Sequence, residues 1–190
     1  MNKNHDISTG RARAYSQNLN ATIKWQAPPL SCFKLNFDGS VTNCSAACGF
    51  VIRDGDGRPI VAEASNAGKT TVPVAEATAL RNGLVAAKQK GLRRLQVEGD
   101  SKLVIDAVNG VSAPPWRLKK IIEDIRMLAQ DLEAIHFKHI FREANFVADA
   151  IADLGHNCSA VTWHDGVPKE ASRALLFDIV NTGCPRGFSL

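Results

Sequence analysis

Phe33-Lys34-Leu35-Asn36-Phe37-Asp38-Gly39-Ser40 is the stretch from which the rest of the chain can be read. Phe33, Leu35 and Phe37 alternate with Lys34, Asn36 and Asp38, a period of two that predicts a half-buried strand. Gly39-Ser40 ends it, leaving a carboxylate at the strand end. Ala46 to Arg53 reads as a second strand, Asp54-Gly55-Asp56-Gly57 as a turn, and Pro59 to Ala64 as a third strand. Three strands with short connections predict an antiparallel meander.

The period then changes. Thr70-Thr71 and Pro73 signal a helix start. Glu76, Leu80, Leu84 and Ala87 fall on one stripe of a helix ending near Gly91. Leu92 to Val97 predicts a fourth strand closed by Glu98-Gly99. Asp100-Ser101 opens a short helix to Val108, and Trp116 to Leu132 a longer one that buries Leu118, Ile122, Ile125 and Leu128. Ala134 to Ile140 predicts a fifth strand, and Ala144 to Leu154 a last helix with Val147, Ile151 and Leu154 inward. The order β-β-β-α-β-α-α-β-α specifies an α/β fold: one five-stranded mixed sheet, an antiparallel meander extended by parallel strands, flanked by helices. Residues 1–30 are polar and end in Ala27-Pro28-Pro29, as a tail or linker would; residues 31–155 form the domain. Residues 156–190, with one weak apolar stretch from Ala174 to Val180, read as a tail or a docked helix.

Composition narrows the class. Hydrophobic residues at 45% and charged residues at 22% describe a globular chain. No apolar run is long enough for a membrane span, and no secretory signal is visible. Five cysteines without a C-x-x-C pair read as reduced thiols, so the expected location is intracellular. Arg11, Arg13, Ser8, Thr9 and Ser16 lend the N-terminus some transit-peptide character, but nucleus or cytoplasm is the expectation over an organelle. His156, Cys158 and His164 lack a fourth ligand at zinc spacing. Charge is uneven: residues 1–30 carry +3, while residues 31–155 carry 16 bases against 15 acids. Nucleic-acid affinity of the central part would therefore rest on local basic patches.

Four carboxylates stand at element ends or on inward faces: Asp38, Glu76, Asp100 and Asp149. Each has an ordinary explanation alone. Asp38 precedes a turn glycine, Asp100 suits a helix N-cap, Glu76 suits a helix N-terminus, and Asp149 suits a helix flank. Brought together they would form an oxygen-lined anionic pocket, better matched to magnesium than to zinc. Asp153 and Glu98 are the rival acids.

The stretches L-N-F-D-G-S with G-F-V-I-R-D-G-D-G, A-E-A-T-A-L, V-E-G-D-S-K-L-V-I and I-F-R-E-A-N-F-V-A-D-A-I-A resemble, in that order, the ribonuclease H family and its plant, reverse-transcriptase-associated domains. The resemblance implies a metal-binding quartet of Asp38, Glu76, Asp100 and Asp149, acting with two Mg2+ ions, for which Mn2+ can substitute. Asp38 would bridge both ions, and the substrate would be the RNA strand of an RNA/DNA hybrid, bound by a monomer. Gly39, Ser40 and Asn43 would lie by the hybrid backbone, with Arg142 and Asn145 also in the substrate-binding set. Three departures stand out. Gly110 to Pro115 is too short for the basic handle of bacterial members, which leaves grip to Trp116, Arg117, Lys119 and Lys120. V-T-N-C-S-A-A-C-G replaces a glycine-rich turn. No loop histidine precedes Asp149, His139 lying in the fifth strand. The competing reading is a catalytically weak or silent module that binds nucleic acid or protein. A 3′–5′ exonuclease fits less well, because the first strand supplies a single acid.

Overall fold

A computed structural model describes residues 22–190. Lys3, Asp6, Arg11 and Arg13 of the N-terminal segment lie outside the described residues, whereas Lys24 lies within them. The elements are β1 (Phe33–Val41), β2 (Ala46–Arg53), β3 (Pro59–Gly68), α1 (Val72–Gln89), β4 (Arg94–Gly99), α2 (Lys102–Val108), α3 (Lys119–Gln130), β5 (Ala134–His139), α4 (Phe146–Leu154), β6 (Ala160–His164) and α5 (Ser172–Ile179).

One mixed sheet runs in the order β5-β4-β1-β2-β3-β6. β1 pairs antiparallel with β2, and β3 joins β2 and β6 in the same sense, whereas β1–β4 and β4–β5 are parallel. The five anticipated strands are all present. The sixth, β6, and the helix α5 both come from residues 156–190, for which the sequence left a tail or a docked helix open. Glu98 and Gly99 were expected to close β4 but belong to it, and α3 starts at Lys119 because residues 116–118 form a turn.

The sheet separates two apolar layers. Leu35, Phe37, Phe50 and Ile52 pack against Leu80 and Leu84 of α1 and Ile122 and Ile125 of α3. On the other face Val51, Ala62 and Ala64 meet Val147 and Ile151 of α4 and Ala174 of α5. α4 lies directly on β2, because a Cβ at Gly49 would overlap the backbone nitrogen of Ala152.

β1 departs from its half-buried reading. Lys34, Asn36 and Asp38, the polar half of the alternation, are 1%, 0% and 6% exposed. Their face is roofed by α4, α5 and Trp25, a residue that the sequence placed in a tail. Trp25 is itself 6% exposed, and Ile23 bridges to Cys184. Two buried ion pairs lie on this face, Lys34 with Glu98 at 2.8 Å and Arg53 with Asp178 at 2.7 Å, while Asp38 has no such partner among the described residues.

Gly49→Ala is expected to destabilise the fold by about 1–3 kcal/mol through overpacking of α4 on β2. Chemical unfolding of the full chain measures it; an unchanged midpoint would show that α4 can lift away without cost.

Candidate active site

Asp38 lies within β1, because Gly39 and Ser40 do not end the strand as expected but continue it, paired to β2, as far as Val41; Asp100 follows β4 directly. These two strands are parallel, with Asn36 opposite Glu98, so both acids emerge at one sheet edge. Glu76 reaches them from the first turns of α1, which crosses β1 at close quarters: a Cβ on Gly39 would overlap the backbone nitrogen of Glu76. A glycine at that point is what lets the helix bring its carboxylate down to the strand.

The three carboxylates each offer an oxygen within 4.8 Å of the other two. Asp149, from the first turn of α4, lines the same cavity of about 270 Å³ together with Gly39, Ser40, Arg142 and Asp153. The ordinary explanation for Asp100 does not hold: Ser101 takes the N-cap position of α2, and no side chain caps that helix.

Carboxylates packed this closely perturb one another. At an effective dielectric of about 20, two unit charges 4.8 Å apart repel by roughly 3 kcal/mol. Burial, then the charges of Asp38, Asp100 and Asp149, push Glu76 up to about 10. Burial, the Asp100 and Asp149 charges and a hydrogen bond shared with Asp100 raise Asp38 well above the usual carboxylate range. One Glu76 oxygen, Oε2, is buried without a hydrogen-bond partner among the described residues. Either a proton or a cation satisfies such an atom. Hard oxygen donors around a partnerless buried carboxylate oxygen fit a divalent ion.

Around the acids the chain supplies fixed polar groups. Arg142 Nη2 donates to Asp149 Oδ1 at 2.8 Å and holds its own proton more firmly for it. Asn145 Nδ2 donates to the Phe37 carbonyl at 2.9 Å and to Asp100 Oδ1 at 3.4 Å, behind the acids and not in the cavity wall. His139 ends β5 with Nε2 3.1 Å from the Asp100 carbonyl oxygen. The remaining anticipated binding residues stand apart. Asn43 is exposed in the β1–β2 turn, and Trp116, Arg117 and Lys120 are exposed before and at the start of α3; none lines the cavity. The Arg117 guanidinium lies 5.0 Å from the Trp116 ring centroid.

Two contributors were not assigned from the sequence. Asp153 was only a rival acid, yet it lines the cavity and accepts from Ser40 Oγ at 2.7 Å. Its spacing of four from Asp149 on one helix was a usable signal. His156, considered only for zinc, bridges Ser40 (3.0 Å) and Ser45 (2.7 Å). No sequence pattern joins a residue after α4 to the β1–β2 turn.

Comparisons with known proteins agree with this fold. Residues 36–155 match the family model described as reverse transcriptase-like. This chain belongs to that family, a branch of the ribonuclease-H-like domains. An Arabidopsis thaliana protein provisionally named a ribonuclease H protein is 27% identical over 168 residues, covering 86% of this chain. The chain spans only 27% of that relative's length. Among solved structures, ribonuclease H1 of the archaeon Halobacterium salinarum superposes with a TM-score of 0.63 at 28% identity, covering 66% of this chain and 98% of that one. The N-terminal ribonuclease H domain of a Mycobacterium tuberculosis protein gives 0.64 at 25%, covering 66% and 94%. LC11 ribonuclease H1, solved with an RNA/DNA hybrid, gives 0.59 at 26%, covering 64% and 94%. The family match ends before β6 and α5 and begins after Trp25.

The raised acids make stability pH-dependent in a definite direction. The folded chain holds protons on Asp38 and Glu76 that the unfolded chain releases near pH 4–4.5, so without a divalent cation stability falls as pH rises from there toward about 10. Glu76→Gln, which cannot ionise, is expected to melt above the unsubstituted protein at pH 8 in chelator, with the difference vanishing near pH 4. Thermal unfolding across that range checks both parts.

Proposed function

We propose that this domain is an endoribonuclease of the ribonuclease H type, hydrolysing the RNA strand of RNA/DNA hybrids with magnesium. The observation that carries the proposal is the convergence of Asp38, Glu76 and Asp100 within 4.8 Å, with a Glu76 oxygen left partnerless. Support comes also from LC11 ribonuclease H1, a 26% identical protein whose structure contains a hybrid.

Asp38, Glu76, Asp100 and Asp149 would hold two Mg2+ ions, or Mn2+ in their place. The chemistry such ions supply is a water of lowered pKa and neutralisation of charge on the phosphodiester and its leaving 3′ oxygen. The chain's own residues do the rest. Asn145 keeps Asp100 oriented, and Arg142 places a permanent cation in the cavity wall, where a scissile phosphate would enter. Ser40, anchored to Asp153 and His156, fixes the rim; with the Gly39 backbone and Asn43 in the neighbouring turn it would meet 2′-hydroxyl groups. Trp116, Arg117 and Lys120, exposed away from the cavity, would meet the duplex backbone further along.

A catalytically silent nucleic-acid- or protein-binding module is the second reading, and one observation favours it. His139, the histidine before Asp149 in the chain, ends β5 with Nε2 3.1 Å from the Asp100 carbonyl oxygen and does not stand on a loop facing the acids.

Incubated with magnesium, the protein is expected to cut a labelled RNA/DNA hybrid and to leave single-stranded RNA intact. Asp38→Asn should lower the rate on the order of 10²–10³-fold; no cleavage by the unsubstituted protein would leave the silent module. Replacing Arg117 and Lys120 together by alanine should raise KM with kcat unchanged and reduce the salt slope of binding by about two. An unaltered slope would place the hybrid elsewhere on the surface.

A further inference from the structure

Asp100 is connected through two buried amides to residues further along the same face of the sheet. Asn145, which donates to Asp100, accepts from Asn36 Nδ2 at 3.3 Å. Asn36 is fully buried, and its Oδ1 accepts twice: from Trp25 Nε1 at 2.9 Å and from Arg53 Nη2 at 3.0 Å. Arg53 is clamped in turn. Its guanidinium lies 3.8 Å from the Trp25 ring centroid, and its Nη1 donates to Asp178 of α5 at 2.7 Å.

The chemistry of an amide makes this path directional. Asparagine has one accepting and one donating end. Two donors at Asn36 Oδ1 leave only its NH2 group to face Asn145, which must then present its own oxygen. The Asn145 NH2 group is thereby turned toward the Phe37 carbonyl and the Asp100 carboxylate, both acceptors. Inverting either amide would set oxygen against oxygen in a buried place, a costly arrangement.

We propose that Trp25 and Arg53, the latter held by Asp178, are positioning residues for Asp100, so that the working unit extends beyond the family match to include segments near residues 23–25 and 172–188. The proposal rests on the metal-binding reading of the acids for its consequence, though not for the hydrogen-bond path itself. Trp25 and Asp178 lie outside residues 36–155. The C-terminal segment is tied down beside them: the Gly187 amide donates to buried Glu143, and the Phe188 ring stacks on Phe177.

The test uses the full chain, with two readouts: the side-chain amide resonances of Asn36 and Asn145 by NMR, and Mg2+ affinity by calorimetry. Trp25→Phe removes one donor and keeps a ring beside Arg53. Arg53→Met with Asp178→Leu removes the ion pair as a unit, a change that buried pairs often tolerate. Each is expected to shift the Asn145 amide resonances. All three substitutions together should weaken Mg2+ binding about tenfold, while Trp163→Phe, in β6, changes neither readout. A folded triple variant with Asn145 resonances unmoved and Mg2+ affinity within twofold would overturn the proposal. If the triple variant does not fold, Trp25→Phe alone decides by the same resonances. If the unsubstituted chain binds no Mg2+, the metal reading falls, and the Asn145 resonances still decide the path. If it binds Mg2+ but cuts no hybrid, the nuclease reading falls and the positioning proposal is judged on affinity.

Discussion

Asn36 faces Glu98 across the parallel β1–β4 pair, and two residues later each strand delivers an aspartate to the same sheet edge. That register is the constraint on which the site depends. β1 is also where the sheet changes sense, with a parallel neighbour on one side and an antiparallel neighbour on the other. In open α/β sheets the carboxyl ends beside such a reversal form a natural crevice. β5, parallel to β4, ends at the same edge and leads through a short turn into α4, which is why Arg142, Asn145 and Asp149 arrive there too. Only Glu76 comes from a helix entering from the antiparallel side, and it needs the missing side chain at Gly39 to get close enough.

Holding acids together against their repulsion is work for the rest of the molecule. Gly49 lets α4 sit on β2, so Asp149 cannot drift outward with its helix. Leu80 and Leu84 of α1 are buried in the first apolar layer and anchor the helix that carries Glu76. The site is therefore destabilising by itself and is carried by two well-packed layers, the arrangement expected when a fold maintains function at the expense of local comfort.

Much of this was legible in the residues because it is written in short-range periodicity. The change from period two to the 3.6-residue stripe at Thr70 located the meander and α1, and the acids at strand ends followed from it. What escaped is long-range. The Lys34-Asn36-Asp38 alternation looks the same whether its polar face meets water or a buried network, and only the covering by Trp25 and α5 distinguishes the two. β6 is five residues of A-V-T-W-H, too short and too exposed to announce itself beside a strand whose paired residues lie 95 (Ser65 to Ala160) to 103 (Val61 to His164) positions earlier. His156 finds Ser40 and Ser45 by tertiary contact alone.

β6 carries a consequence for how the molecule behaves in company. β3 is ten residues long, and without β6 its outer rim would offer an unpaired ladder of amides and carbonyls to any passing strand. With β6 laid along Val61 to Ser65, the rim facing outward on that side is a five-residue strand ending beside Asp165. The C-terminal segment whose helix roofs the polar face thus also blunts a self-templating edge, so its loss would invite strand-to-strand association between copies as well as uncover buried Arg53.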